Sequence, residues 1–266
     1  MVGEVSFKRC DWEEISAYVA RNVIQNKITV DSFWEGHVLE SNHYKMVISD
    51  EIVGYFAIFQ ENTIVLFHVN PEYAKYSQEL FAKIKQYEQV TNAMVATGDE
   101  QFLSHCFDNF AKVEKQAYFS TYRDEDICPS RQKDLVLKLA DVKSEADLEI
   151  LKLCGDFLDS EIKKIQAEGE LTHLQIYLVY DLETVVGFGV VEYGRIIEDI
   201  ASIGMYVIED YRGKGYATNI LQSLKHISQA KGHRVFSGCW YYNHNSLKSM
   251  KSANAYSNTR LIRFYF

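Results

Sequence analysis

The two halves of this chain repeat one another, and an internal repeat of this length predicts two similar domains. In each half a short strand and a helix precede three strand patterns, followed by a second helix and a further strand. Glu51–Ile58 aligns with Thr184–Val191 at a shared glycine, and Val69–Tyr73 aligns with Val207–Tyr211 at nearly the same offset. Chance similarity between hydrophobic strands is the alternative. The shared element order favours duplication and predicts an α+β fold of tandem domains, each a mixed, mostly antiparallel sheet flanked by helices.

A polar, charged segment near the middle of the chain, Asp124–Lys133, separates the two halves. It contains Pro129, one of only 2 prolines in 266 residues. A chain of 266 residues is long enough to form two domains. We therefore predict an N-terminal domain over residues 1–130 and a C-terminal domain over residues 131–266.

Composition excludes several classes of protein. The net charge of −9 and the lack of a long basic run disfavour binding to nucleic acid. Apolar runs are no longer than a strand, and the N-terminus lacks a basic and an apolar signal region, so neither a membrane span nor a secretory signal is predicted. The 5 cysteines are scattered without a Cys-x-x-Cys pair, which indicates reduced thiols in a cytoplasmic protein. His and carboxylate residues show no metal-ligand spacing, so no metal is predicted.

The segment most informative about chemistry is Met205–Thr218, which comprises a strand end, a short loop and the start of a helix. Gly213 and Gly215 let the backbone adopt positive φ and approach a ligand. The helix start presents unpaired N–H groups and a positive dipole end, which favour a phosphate, and Arg212 and Lys214 add positive charge. A glycine turn used only for tight packing is the alternative. The patterns of nucleoside-triphosphate P-loops and of dinucleotide-binding folds are absent.

Arg212–Ala217 resembles the signature Arg/Gln-x-x-Gly-x-Gly/Ala of the GCN5-related N-acetyltransferases (GNAT) at every defined position. Asn243–Ser246 follows a strand ending at Trp240, where this family has its second conserved region on the pantetheine side of the coenzyme. The resemblance covers Leu135–Phe266 and is most similar to the two-domain zwittermicin-resistance acetyltransferases. The first half has Ala74–Ser77 in place of the loop, without glycine, and so looks like a degenerate copy.

The resemblance implies an acetyl-CoA-dependent N-acetyltransferase that transfers acetyl directly to the amine of a small molecule within a ternary complex. It implies one cofactor site, in the C-terminal domain, with acetyl-CoA as co-substrate. The residues expected to bind acetyl-CoA are Met205, Tyr206, Val207, Arg212, Gly213, Lys214, Gly215, Tyr216, Ala217, Thr218, Asn243 and Ser246.

An acceptor amine must be neutral to attack, so a base, or a water linked to one, is expected nearby. The nearest carboxylates by sequence are Glu198 and Asp199, at the start of the fourth strand of the second half, and Glu192, at the end of the third. Members of the family often carry a glutamate where this chain has Ala201 and Ser202. Glu198 or Asp199 acting through water is the predicted base, and a solvated strand end is the alternative.

The position of the tyrosine acid found in many relatives is occupied by Met250, and Tyr256 is the candidate substitute. Asn254 stands where glycine is common and is predicted to adopt a left-handed conformation after a short helix. Two other functions stay open. A non-catalytic acyl-CoA-binding regulatory or scaffold protein is favoured by the missing acid and base, whereas an aminoacyl-tRNA-dependent transferase is disfavoured by the charge. The acceptor, the acyl chain and the oligomeric state are open.

Overall fold

The computed structural model describes residues 5–87, 89–125, 132–168 and 172–266, and the chain divides into two compact units. Unit 1 comprises Met1–Tyr118 and Thr259–Phe266, and unit 2 comprises Phe119–Asn258. Both units are mixed sheets with flanking helices, which confirms the predicted α+β class. Within the described ranges, no helix has the length and apolar character that crossing a membrane requires.

Unit 1 begins with a run of antiparallel strands in which β1, β2, β3 and β4 are successive neighbours. Strand β5 is parallel to β4 and pairs with it only at Thr63 opposite Asn92 and Ile64 opposite Ala93. Its elements in chain order are β1 (Val5–Cys10), α1 (Trp12–Gln25), α2 (Ser32–Leu39), β2 (Asn42–Ile48), β3 (Glu51–Phe59), β4 (Thr63–Val69), a 3₁₀ helix (Pro71–Tyr76), α3 (Ser77–Lys85), β5 (Asn92–Ala96), α4 (Glu100–Asn109) and the first part of β6 (Lys112–Tyr122).

Each face of the unit 1 sheet is covered by a pair of helices. Phe81 of α3 and Phe102 of α4 pack against Phe67 of β4 in one buried cluster. On the opposite face, the His43 ring of β2 lies 5.3 Å from that of Trp12, and its Nε2 lies 2.8 Å from the carbonyl of Val38 in α2. The sequence therefore supplies apolar residues to both faces of β2–β4.

Unit 2 repeats this order. Strands β7, β8, β9 and β10 are successive antiparallel neighbours, and β11 is parallel to β10. After the last part of β6, its elements are β7 (Leu135–Leu139), α5 (Glu145–Leu151), a 3₁₀ helix (Lys152–Leu158), α6 (Asp159–Glu168), β8 (Leu174–Asp181), β9 (Thr184–Tyr193), β10 (Ile200–Val207), a 3₁₀ helix (Glu209–Tyr211), α7 (Tyr216–Ala230), β11 (Arg234–Trp240), α8 (His244–Ser252) and the first part of β12 (Ala255–Tyr265).

Helix α7 covers one face of the unit 2 sheet, where Ile220 and Leu224 pack in a buried cluster with Ile203 of β10. The segment from α5 to α6 covers the other face, where Leu151 packs with Phe188 of β9. Alternation along β10 therefore sends odd-numbered side chains toward α7 and even-numbered side chains toward α5 and α6.

The glycine shared by the two halves has the same structural cause in each unit. A Cβ on Gly54 would lie 2.1 Å from the carbonyl oxygen of His68, and one on Gly187 would lie 2.4 Å from that of Tyr206. Each glycine lets a strand of the unit approach the backbone of the next one closely. The glycine shared by the two halves of the sequence is thus required in both units by the same close approach of two strand backbones.

The division of the chain differs from the predicted boundary between residues 130 and 131. It falls after Tyr118, within β6, and the last eight residues join unit 1. Strand β12 pairs with β5, Leu261 opposite Ala96 and Phe264 opposite Ala93, and Phe264 is fully buried in the unit 1 core. Burial of these apolar residues against a strand far away in sequence is the physical reason. Residues 126–131 of the predicted linker lie outside the described residues.

Replacement of Phe264 tests this division. Phe264→Ala is expected to destabilise unit 1 by about 3–5 kcal/mol, because it removes a fully buried aromatic ring. Hydrogen exchange followed by mass spectrometry should show faster exchange in β5 and unchanged exchange in β10. Tyr256→Ala, at a more exposed position of the same strand β12, is the control. Equal acceleration in β5 and β10 would contradict the division.

Candidate active site

Strands β10 and β11 pair only near their beginnings. The ladder between them ends where Ser202 lies opposite Phe236, although both strands continue further. We call the space between the remaining parts, Ile203–Val207 and Ser237–Trp240, the unit 2 opening. Separation of two parallel strands exposes main-chain groups that a continuous ladder would have used.

A buried hydroxyl network closes the base of the unit 2 opening. The Ser237 hydroxyl donates to the carbonyl of Ile203 at 2.7 Å, and the Tyr122 hydroxyl donates to Ser237 Oγ at 2.8 Å. Burial raises the pKa of Tyr122, so its phenol remains protonated. A side chain therefore replaces the ladder bond at the point where the strands separate.

Beyond this base, the edge of β10 that faces the unit 2 opening belongs to its odd-numbered residues. The carbonyl of Ile203 faces Ser237, and the carbonyl of Val207 accepts a hydrogen bond from Arg212 Nε at 3.1 Å. Met205 lies between them on the same edge, since main-chain groups alternate along a strand. Its N–H and C=O are thus presented where β11 has left the ladder.

Side chains of even-numbered β10 residues form the wall on the other face. The ring of Tyr206 lies 5.4 Å from that of Phe157. Glu192 of β9 is the cross-strand partner of Ser202, and the side chains of such partners lie side by side on one face. The Glu192 side chain is 24% exposed, and its carboxylate lies 3.6 Å from Arg195. This face therefore carries a carboxylate beside Ser202.

The predicted phosphate loop follows β10 directly. Gly213 and Gly215 adopt φ of 75° and 85°, and α7 begins at Tyr216 with Gly215 as its N-cap. A Cβ on Gly213 would meet no atom within 4 Å, so the glycine there is required by conformation rather than by space. Ala217 and Thr218 complete the first turn, whose N–H groups have no partner within the helix. The loop and the helix start together form a site suited to an anion.

The two cations predicted to assist this loop are engaged with the protein. Arg212 donates from Nε to Val207 and from a terminal nitrogen to the Tyr206 hydroxyl at 3.3 Å. Lys214 Nζ donates to the carbonyl of Asp210 at 2.8 Å. Arg212 therefore ties the loop to the end of β10, and Lys214 is folded back along its own loop.

A third cation, not predicted from the sequence, lies beside the helix start. Lys133 Cε lies 3.9 Å from the position of a Cβ on Gly215, and its Nζ lies 4.5 Å from the centre of the Tyr216 ring. Its main-chain N–H donates to Asn219 Oδ1 at 2.7 Å. Lys133 is far from the loop in the sequence and was part of the predicted linker, so no local pattern signals its position.

Tyr216 also connects the loop to the end of β8. Its hydroxyl donates to the carboxylate of Asp181, a hydrogen bond that raises the pKa of Tyr216. This hydrogen bond fixes the ring of Tyr216, and the Lys133 ammonium group lies over that ring.

The second predicted region lies at the end of β11. Asn243 caps α8, because its Oδ1 accepts the main-chain N–H of Ser246 at 3.1 Å. The rings of Trp240 and Tyr242 lie 5.0 Å apart, and both side chains are more than half exposed. Asn243 and Ser246 are therefore close together, next to an exposed aromatic pair.

The carboxylates predicted as the base lie at the other end of β10. Asp199 forms a bidentate ion pair with Arg234, at 2.7 and 2.9 Å, and this bonding holds the pKa of Asp199 below its usual range. Glu198 is exposed in the turn before the strand. Asp199 precedes Met205 by six residues, about 20 Å along a strand. The structure therefore does not bring Glu198 or Asp199 to the unit 2 opening.

The residues discussed as a proton donor have different environments. Met250 is buried in the cluster beneath α7, and Tyr256 is 40% exposed with the Arg123 guanidinium 5.9 Å from its ring. Asn254 has φ of 61°, which confirms its predicted left-handed conformation. Met250 therefore contributes to the packing of the core. Tyr256, on β12, lies beside the Arg123 guanidinium.

The corresponding place in unit 1 is filled by a side chain. The carboxamide of Gln101 accepts from the main-chain N–H of Val69 and donates to the Val69 carbonyl, both at 3.0 Å. Val69 aligns with Val207 of unit 2. The exposed edge at the end of β4 is thus already paired, and a 3₁₀ helix without glycine, Pro71–Tyr76, follows it.

Two family models match the chain, and each describes a GNAT acetyltransferase domain. One, described as an acetyltransferase (GNAT) domain, matches residues 11–123, and the other, the acetyltransferase (GNAT) family, matches residues 146–265. None of the curated proteins matches the chain significantly. The similarity to zwittermicin-resistance acetyltransferases stays a prediction.

Several solved structures share the fold along almost the entire chain. An acetyltransferase of the GNAT family from Colwellia psychrerythraea is 18% identical, with a TM-score of 0.85 over 98% of this chain and 99% of its own. A GCN5-related N-acetyltransferase from Sphaerobacter thermophilus is 12% identical, with a TM-score of 0.61 over 98% and 95%. A tandem GNAT protein from the clavulanic acid biosynthesis pathway is 11% identical, with a TM-score of 0.60 over 99% and 98%. The chain therefore belongs to the GNAT acetyltransferases and carries two GNAT domains.

Proposed function

We propose that the chain is an acetyl-CoA-dependent N-acetyltransferase with one cofactor site, in unit 2, and a small-molecule amine as acceptor. The observation that carries the proposal is the loop Arg212–Ala217, whose positive-φ glycines lead into the α7 start directly after the opened edge of β10. Anion-binding amides and a free strand edge are the two features that a coenzyme with a pyrophosphate and an amide-containing arm requires. A cytoplasmic location and the absence of a nucleic-acid partner stay predictions.

The chain offers acetyl-CoA a distinct group for each part of the molecule. The main-chain N–H groups of Gly213–Ala217 would hold the pyrophosphate, with Lys133 as the nearby cation. The Met205 edge would pair with the amides of the pantetheine arm, and Asn243 and Ser246 lie at the end of β11. When bound, acetyl-CoA supplies the activated acetyl group. The Met205 N–H is the donor available to a thioester oxygen as negative charge develops on it.

We assign the role of general base to Glu192, in place of Glu198 or Asp199. Its side chain lies on the same face as that of Ser202, the last residue of β10 that pairs with β11, and it is partly shielded from solvent. A carboxylate there accepts the proton of an acceptor ammonium directly or through one water. Glu192 has a single ion pair with Arg195 at 3.6 Å, whereas Asp199 accepts two hydrogen bonds from Arg234.

A non-catalytic acyl-CoA-binding protein is the second candidate function. The engaged Asp199 and the buried Met250 favour it, since they leave two expected catalytic positions without an available group. The two functions differ in turnover. Binding of acetyl-CoA without thiol release over a broad panel of amines would select the second.

A substitution at Gly215 tests the cofactor site. Gly215→Val is expected to weaken acetyl-CoA binding at least about tenfold, because a β-branched residue does not tolerate the positive φ that orients the loop amides. Isothermal titration should show one equivalent bound per wild-type chain. Gly232→Val is a matched control, since Gly232 has φ of 87° and open space just beyond the end of α7. Equal losses in both variants, or two equivalents bound per chain, would contradict the assignment.

Lys133 gives a second, electrostatic test of the same site. Lys133→Gln is expected to weaken acetyl-CoA binding about three- to tenfold and to reduce its dependence on salt, because one cation near the phosphates is removed. The control is Lys231→Gln at the other end of α7, where Nζ lies 4.9 Å from the Tyr193 ring. An affinity that is unchanged in Lys133→Gln would remove Lys133 from the site.

The assignment of the base is tested by Glu192→Gln. The variant is expected to lower kcat about a hundredfold or more while acetyl-CoA affinity stays unchanged, because proton acceptance is lost but the phosphate loop is intact. Thiol release with an amine that the wild-type protein accepts measures the rate. A larger fall in Asp199→Asn than in Glu192→Gln would return the role to Asp199.

A further inference from the structure

The sheet face of unit 2 that carries Glu192 is only partly covered by helices. Ile176 of β8 is buried on this face against the segment from α5 to α6. On β9 and β10, the cross-strand partners Val190 and Gly204 are only half-buried. We call the open area bounded by Glu192, Gly204 and Tyr206 the acceptor face.

Gly204 forms the floor of the acceptor face. A Cβ at this position would lie only 2.8 Å from Val190 Cγ1, so even a methyl group there would collide with Val190. Gly204 is two residues from Ser202 and two from Tyr206, which is about 7 Å from each along the strand. The space above Gly204 therefore lies between the carboxylate beside Ser202 and the ring of Tyr206.

The end of the acceptor face toward the phosphate loop is aromatic. The rings of Tyr206 and Phe157 lie 5.4 Å apart, with an angle of 33° between their planes. Phe157 is nevertheless 40% exposed. Two neighbouring rings, one of them still largely open to solvent, present a surface against which a further aromatic ring packs well.

A third aromatic residue, Trp240, lies on the same face of β11. Strands β10 and β11 are parallel with Ser202 opposite Phe236, so the even-numbered residues of both strands share one face. Trp240 belongs to this set and is 59% exposed. The odd-numbered Val235 and Cys239 instead pack in the cluster beneath α7, as this alternation requires. Aromatic side chains therefore stand on both sides of the unit 2 opening.

The strands supply one negative charge to the acceptor face. Within β9, β10 and β11, which the structure describes in full, Glu192 is the only carboxylate. Its side chain is 24% exposed, and a partly desolvated carboxylate favours a cationic partner. An acceptor with several ammonium and hydroxyl groups would leave most of them without a partner on these strands. One ammonium group and one apolar ring match the acceptor face better.

We propose that the acceptor is an arylalkylamine, a primary amine joined to an aromatic ring by a short alkyl chain; this rests on the N-acetyltransferase function proposed above for unit 2. The ring packs against Phe157, Tyr206 and Trp240, and the alkyl chain crosses Gly204. Glu192 takes one proton from the ammonium group, directly or through one water. The neutral nitrogen then bonds to the acetyl carbon, the carbon–sulfur bond breaks with its electron pair going to sulfur, and the proton lost by nitrogen ends on the thiol.

The test compares amines that differ in one property. The kcat/KM for phenethylamine is expected to exceed that for its saturated analogue cyclohexylethylamine about threefold to tenfold, because a flat ring packs specifically on aromatic side chains. Ethylamine lacks the ring and should be about a hundredfold poorer than phenethylamine. Spermidine represents polyamines and glucosamine represents amino sugars. A kcat/KM for any of these four amines that equals or exceeds that for phenethylamine would overturn the proposal.

Binding is measured beside turnover, so that failure of this proposal differs from failure of the proposed function. Phenethylamine is titrated calorimetrically into the full chain, with and without CoA. Binding of phenethylamine without thiol release from acetyl-CoA would contradict the catalytic function and support the acceptor class. Preferred acetylation of spermidine or glucosamine would support the function and overturn the acceptor class, as would the absence of phenethylamine binding under both conditions.

Variants locate the ring of the acceptor. Phe157→Leu and Trp240→Leu are each expected to remove the preference for phenethylamine over cyclohexylethylamine, because apolar bulk remains but an aromatic surface is lost. Acetyl-CoA affinity should stay unchanged in both variants. Tyr18→Leu is the control, since Tyr18 is an aromatic residue of unit 1 that is 56% exposed. A preference for phenethylamine that survives in both Phe157→Leu and Trp240→Leu would refute the site.

Discussion

The separation of β10 from β11 after Ser202 and Phe236 is the constraint on which the site in unit 2 depends. If the parallel ladder continued, β11 would consume the main-chain groups of Met205, and no edge would be left for a ligand. The Ser237 hydroxyl takes over the ladder bond to Ile203, so the strands separate without leaving that carbonyl unpaired. The same β10 strand then leads directly into the glycine loop. One break in one ladder thus places a free edge and an anion site side by side.

In unit 1, a side chain fills the corresponding gap between the two parallel strands. Strands β4 and β5 also separate after two residue pairs, but Gln101 supplies both hydrogen bonds that the edge at Val69 requires. The close approach at Gly54 is nevertheless kept, like that at Gly187. The packing of neighbouring strands therefore persists in both units, whereas the ligand-binding features at the strand end do not.

The parts of the site that could be predicted from the sequence are contiguous in it. The positive φ of Gly213 and Gly215 is a local demand that glycine meets, so the loop before α7 was predictable, as was the left-handed Asn254. Lys133 reaches the loop only through tertiary packing. Strand β6 escaped prediction because it begins with exposed, charged residues, and the pairing of β12 with β5 joins distant segments.

Distance along the sequence does not predict where Glu192 and Asp199 lie relative to β10. Asp199 is closer to the loop along the chain, but it lies in the turn just before β10, so the whole length of the strand separates it from the loop. Glu192 is further away in sequence, yet antiparallel pairing folds it back beside Ser202.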